Sequence, residues 1–527
     1  MKNGLNKVRL PKVILSKVSA ALLAAGLAFS VQAADITIAY DADPISMDPH
    51  EQLSGATMEM SHLLFDPLVR WSKDFKSEPR LAEKWERRDE NTVRFYLRKG
   101  VKFHSGNDFG ADDVVWTFNR LKVSPDFKAI FDSFSAVSKV DEHTVDIVTK
   151  GPYPLVLNTM AFLFPMDSKF YDGQADGKDK AAIVKHGSSF ASTNTSGTGP
   201  FKLVSRQQGV KAEYERNANY WDKKSPGNVQ KLTLVPIKED ATRVAALLAG
   251  DVDFIKPVSP NDHNRVQSAS GVKLITQSGT RIISLQMNQE RFAPFKDVRV
   301  RQAVNYAINQ DGIVERIMRG FGTTASQQTP AAYAGHNPNL KPRYDVEKAK
   351  QLMAEAGYKD GFKITMIAPN NRYVNDFRIA EAVKAMLARI NIDVDLKTMP
   401  IAQYWPEFDK CNADMLMIGW QSDTEDAANF SEFLTMTRNE ETGRGQYNCG
   451  HYSNAALDEL IESANLETNE DRRATMLQEA EKVLYDDAAF VPLHWQDLAW
   501  GARDNVLAEP IVNAMDFPYL GDLVVKD

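Results

Sequence analysis

Four side chains that can hold a ligand stand in a row at Trp420, Gln421, Ser422 and Asp423: an indole, an amide, a hydroxyl and a carboxylate. They follow the apolar run Met415–Ile418 and the pair Gly419-Trp420, which breaks it, so the four sit at the carboxyl end of an expected buried strand. In open α/β sheets that end is where ligands bind. The chemistry on offer is recognition, with an apolar face beside one negative charge. A tryptophan packed at a strand end with acidic loop residues facing water would read the same locally.

Other combinations that could do chemistry are weak. The nine histidines, His50, His62, His104, His143, His186, His263, His336, His451 and His494, include no pair at helical metal-ligand spacing, and none pairs with a cysteine at zinc-site spacing. The chain has no GxSxG, P-loop or GxGxxG motif. Asp112/Asp113 and Asp423/Glu425/Asp426 are acidic groups without an accompanying catalytic motif. No catalytic set, metal site or cofactor is therefore expected. Cys411 and Cys449, the only cysteines, flank the Trp420–Asp423 stretch, and a disulfide between them is expected in an oxidising compartment.

That compartment follows from the first residues. Lys2, Lys7, Arg9, Lys12 and Lys17 precede a short apolar run over 18–31, and Val31-Gln32-Ala33 supplies small residues for cleavage. This is the pattern of a secretory signal peptide over 1–33, cut after Ala33 or Ala34. Its removal leaves 58 basic against 70 acidic residues, a net of −12, which disfavours nucleic acid and anionic membrane as partners. With no cysteine near the cut there is no lipid-accepting thiol, so a freely diffusing periplasmic protein is expected.

The elements that must position these residues are alternating strands and helices. Asp35–Tyr40 and Lys231–Pro236 read as strands, and Ala241–Ala249 as a helix stopped by Gly250. From 283 the alternation is regular: strand Ile283–Met287, helix through Val300–Ile308, helix Tyr344–Ala356, strand Phe362–Ile367, helix Asp376–Ile390 and strand Asp393–Met399. A helix start at Trp405–Phe408, helices Asn454–Leu466 and Glu470–Tyr485, and strand Phe490–Trp495 complete it. An α/β fold follows, and 527 residues suffice for two or three domains.

An ordered series of segments adds a resemblance: Leu81–Trp85, Tyr96–Phe103 with Gly106, Ala111–Val115 with Phe118, Gly197–Phe201, Asn217 with Tyr220-Trp221, Ala241–Arg243, Val300–Ala303 with Tyr306–Ile308, and Gly419-Trp420. Together they resemble the extracytoplasmic solute-binding proteins of peptide and nickel ABC importers, family 5, closest in type to dipeptide binders. The resemblance implies a two-lobe, hinged fold with an extra subdomain in the first lobe: lobe one at 34–283 plus 489–527, the subdomain at 76–191, and lobe two at 284–488. It also implies a monomer that binds short peptides and delivers them to an inner-membrane permease.

The same resemblance implies that Asp423 holds the peptide ammonium and that Arg372, in the segment ending at Tyr373, meets the carboxylate, with Arg378 as a competitor. Ser54-Gly55 would bring lobe-one backbone to the ligand, and Tyr404 or Trp405 would join Trp420 in the apolar wall. The loop departs from dipeptide binders at Thr424–Ala428. That leaves open a glutathione-like peptide, an opine, an oligosaccharide or chelated nickel, with a secreted hydrolase as the alternative from another class.

Overall fold

Two long strands, Val272–Met287 and Phe490–Arg503, pair antiparallel and carry the chain between two lobes in the computed structural model. The structure describes residue 1 and residues 34–526 apart from 74 and 188, so the expected signal peptide lies outside the described residues. Both strands are longer than their apolar runs foretell. The first begins at Val272, because Thr276–Arg281, polar in sequence, still form ladder partners with Gln496–Ala499 around a bulge. The expected change of lobe near 283 therefore falls inside a strand.

These strands sit in the middle of a mixed sheet. On one side, Ala34–Tyr40 pairs parallel with Val229–Pro236 and with Phe254–Lys256, which in turn joins the strand Phe490–Arg503. On the other, Met415–Trp420 pairs antiparallel with Ile282–Met287 and parallel with Phe362–Pro369, which pairs parallel with Ile392–Met399. Parallel neighbours need crossover helices, and the helices Asp376–Ala388 and Ile401–Asp409 supply them. The second of these starts before Trp405 and runs past Pro406, so Trp405–Phe408 lies in its later half and not at its start.

Separate apolar clusters pack against this sheet. Ile283, Leu285, Val304, Ile364, Met366, Val383, Met415 and Val491 form one core. Ile36, Ile38, Leu232, Leu234 and Phe254 belong to the other, which also takes in the face of the Trp420 strand that carries Leu416 and Ile418. A four-stranded antiparallel sheet built from residues 82–149 lies apart from the main sheet and is packed by the helix Ala111–Val123. Asp113 anchors that helix: its carboxylate accepts from Gly110 N at 2.9 Å and from Ser168 Oγ at 2.7 Å. Gly199 belongs to this framework, since a Cβ there would lie 2.4 Å from the Leu64 carbonyl carbon. No helix among the described residues is long and apolar enough to cross a membrane.

Candidate ligand site

The strand Met415–Trp420 is buried on both faces and ends between the lobes. Gly419 does not break it. The strand runs through to Trp420, and the glycine is there because a Cβ would stand 2.6 Å from the Tyr373 ring and 2.7 Å from Ile283. Tyr373 thus lies behind the strand. Its hydroxyl donates to the Gly419 carbonyl at 3.4 Å.

Beyond Trp420 the loop is braced from within. Ser422 Oγ donates to the Asp426 carbonyl at 2.7 Å and accepts from Asp426 N at 2.8 Å. Asp426 caps the helix Ala427–Leu434 and forms a buried pair with Arg473, with one bond at 2.7 Å. Asn429 Oδ1 accepts both the Trp420 indole N–H at 2.9 Å and Asp423 N at 3.1 Å. The Trp420 ring stacks on Phe433 with centroids 4.8 Å apart. Cys411 and Cys449 are joined by a disulfide, Cα atoms 5.0 Å apart, which closes the loop carrying these residues.

A cavity with about 460 Å³ of empty space, part of it open to solvent, lies at this strand end. Leu53, Ser54, Gly55, Met58 and Phe517 line it from lobe one; Arg372, Trp405 and the run Gly419–Asp423 line it from lobe two; Arg281 enters from the crossing strand. Ser54 caps the helix Gly55–Leu64 and turns its first residues toward the cavity. The two lips are joined by Asp126 of lobe one, whose Oδ2 accepts from Leu53 N at 3.1 Å and from Tyr447 OH at 2.6 Å. Tyr447 in turn packs on Trp420, centroids 5.0 Å apart.

Trp420, Gln421, Ser422, Asp423, Arg372, Ser54, Gly55 and Trp405 therefore come together, whereas three expected residues, Tyr373, Tyr404 and Arg378, do not line this space. Tyr404 is fully buried and donates its hydroxyl to the Met417 carbonyl, bracing the strand from behind as Tyr373 does. Arg378 is exposed on a neighbouring crevice beside Asp376, so Arg372 is the arginine of the pair at the cavity. Arg281, Leu53, Met58 and Phe517 were not foreseen. A lone cation just before the apolar run Ile282–Leu285 is the one signal that could have pointed to Arg281.

Several polar atoms here have no partner. Asp423 Oδ2, Gln421 Nε2, Trp405 Nε1 and Arg372 Nε are buried without a hydrogen bond. Burial pushes the Asp423 carboxyl up to about 8, against the pull of Arg281. Arg281, 5% exposed, is lowered to about 10 by burial and by the neighbouring Arg372 charge. Buried polar groups are ordinarily satisfied, and these four atoms are free to bond whatever occupies the cavity.

The family model for "Bacterial extracellular solute-binding proteins, family 5 Middle" matches residues 76–441. Heme-binding protein A of Haemophilus influenzae is 31% identical, the match covering 85% of each chain. The dipeptide-binding protein of Escherichia coli is 30% identical over 92% of this chain and 93% of its own. Among solved structures, the periplasmic binding protein DppA of Helicobacter pylori in complex with the peptide STSA is similar with a TM-score of 0.84. It is 25% identical, covering 94% of this chain and 98% of that one. With its two lobes, its crossing strands and a cavity between them, the chain belongs to the bacterial extracellular solute-binding proteins of family 5.

Proposed function

We propose that this protein is the periplasmic binding component of an ABC importer and takes short peptides between its lobes. One observation carries the reading: the cavity sets an unpaired carboxylate, Asp423, among unpaired guanidinium groups, Arg281 and Arg372. A zwitterion satisfies both. The peptide ammonium pairs with Asp423, and the terminal carboxylate takes parallel hydrogen bonds from Arg372. Trp405 and Trp420 give an apolar wall that side chains of different shapes can meet. The Escherichia coli relative, named for dipeptide binding, and the Helicobacter pylori protein, solved with a peptide, support the same reading.

No bond is broken. The work is a difference in affinity between open and closed lobes, with the ligand holding them closed until an inner-membrane permease receives it. The protein acts as a monomer at that step. Isothermal titration with a dipeptide panel tests the reading: Asp423→Asn should cost about 2–5 kcal/mol of binding free energy. Unchanged peptide affinity in that variant would remove the assignment.

A further inference from the structure

The cavity holds more positive charge than one ordinary dipeptide can answer. Arg281 and Arg372 both reach toward Gly55: a Cβ there would lie 3.4 Å from Arg281 Nη2 and 4.0 Å from Arg372 Nη2. Neither guanidinium has a carboxylate within ion-pair distance among the described residues. Arg281 has a single long hydrogen bond, 3.4 Å to Gln421 Oε1, and Arg372 only the Tyr373 ring, 5.1 Å away. Nearby acids act on them only from beyond ion-pair distance. Asp516, which is paired with Lys256, and Asp423 attract Arg281, and Asp41 lines an adjoining cavity together with Arg372.

Donors also outnumber acceptors. Gln421 Nε2, Trp405 Nε1 and Arg372 Nε are buried and unpartnered, against one unpartnered acceptor at the same cavity, Asp423 Oδ2. A neutral zwitterionic peptide would pair its ammonium with Asp423 and its carboxylate with one arginine. The second guanidinium would stay buried without a carboxylate partner, an unfavourable arrangement.

Resting on the peptide reading above, we infer that the cleft selects peptides carrying a second carboxylate, an acidic side chain or a γ-linked acid, which Arg281 holds while Arg372 holds the other. Arg281 is thereby a specificity-determining residue. The selected ligand carries a net charge of about −1 at neutral pH, which balances the two guanidinium groups and Asp423.

Calorimetric titration of isosteric pairs tests this: Ala-Glu against Ala-Gln, Glu-Ala against Gln-Ala, and Ala-Glu-Ala against Ala-Gln-Ala. At least one glutamate peptide should bind roughly tenfold to a hundredfold tighter than its glutamine partner. Arg281→Gln should collapse that ratio toward one, and Arg281→Lys should restore part of it, a pattern that loss of packing alone does not produce. Equal affinities within every pair would overturn the inference and leave the peptide reading standing. Failure of all six peptides to bind would overturn both.

Discussion

Buried charges in the frame of this protein and buried charges at its cleft are treated in opposite ways. In the frame, Arg120 meets Asp48 through two bonds of 2.9 and 2.6 Å, and Arg80 meets Asp66 at 2.9 Å with Asp222 beside it. Arg301, without a close carboxylate, is wrapped by the carbonyls of Phe295, Lys296 and Asp487 at 2.9–3.1 Å. At the cleft, Arg281 has one long bond, to Gln421 Oε1, and Arg372 Nε and Asp423 Oδ2 are buried without a hydrogen bond. Since an unpaired buried charge is costly and a paired one is tolerated, these frame arginines are answered as folded and the cleft arginines are not. The contrast singles out this cavity where size does not, for a larger crevice lined by Asp376 and Arg378 lies nearby.

The largest expected effect tests the frame side of this contrast. Arg120→Ala leaves Asp48 buried and unpaired, and should lower the unfolding free energy by about 3–5 kcal/mol in urea titration. Arg281→Met, which removes an equally buried guanidinium of similar volume, should leave it unchanged or raise it. A loss comparable to that of Arg120→Ala would erase the distinction.

The next effect is in pH. The folded Asp423 carboxyl sits at about 8, far above its ordinary 3.8, so between about pH 4 and 8 the unliganded protein holds a proton that the unfolded chain has released. Stability of the empty protein should fall across that window, and Asp423→Asn should flatten that contribution. Peptide binding needs the carboxylate, so it should release a proton. Affinity should rise by up to about tenfold per pH unit from pH 6 toward 8, then decline as the peptide amine, with a pKa near 8, loses its charge. Titrations in buffers of different ionisation enthalpy read the proton directly.

The smallest effect separates the wall of the cleft from what stands behind it. Tyr404→Phe removes the hydroxyl bonded to the Met417 carbonyl and should cost about 1–3 kcal/mol of stability with peptide affinity within about twofold. A strong loss of affinity would put Tyr404 back in the site.

Much of this architecture could be read from the chain, and the parts that could not share a cause. The apolar run Met415–Ile418, the polar exit at Gln421–Asp423 and the alternation after 283 are local patterns, visible as runs and periods. The crossing strands look shorter in the sequence because Thr276–Arg281 and Gln496-Asp497 interrupt their apolar signal, although tertiary pairing keeps them extended. Tyr373 and Tyr404 look like cleft aromatics in sequence. Which side of the Trp420 strand they occupy depends on how the helices pack, and Gly419 records the answer only once the close approach of Tyr373 is seen. Arg281 and Phe517 reach the cavity from segments far away in sequence. No spacing rule connects them to Asp423.

The central claim is that Asp423 waits for an ammonium group. Its most direct test is calorimetric comparison of one tightly bound peptide with the same peptide N-acetylated, which keeps the chain and carboxylate and removes only the positive charge. The account predicts a loss of about a hundredfold or more on acetylation in the native protein, shrinking to a few-fold in Asp423→Asn. Equal binding of the free and acetylated peptides by the native protein would contradict it.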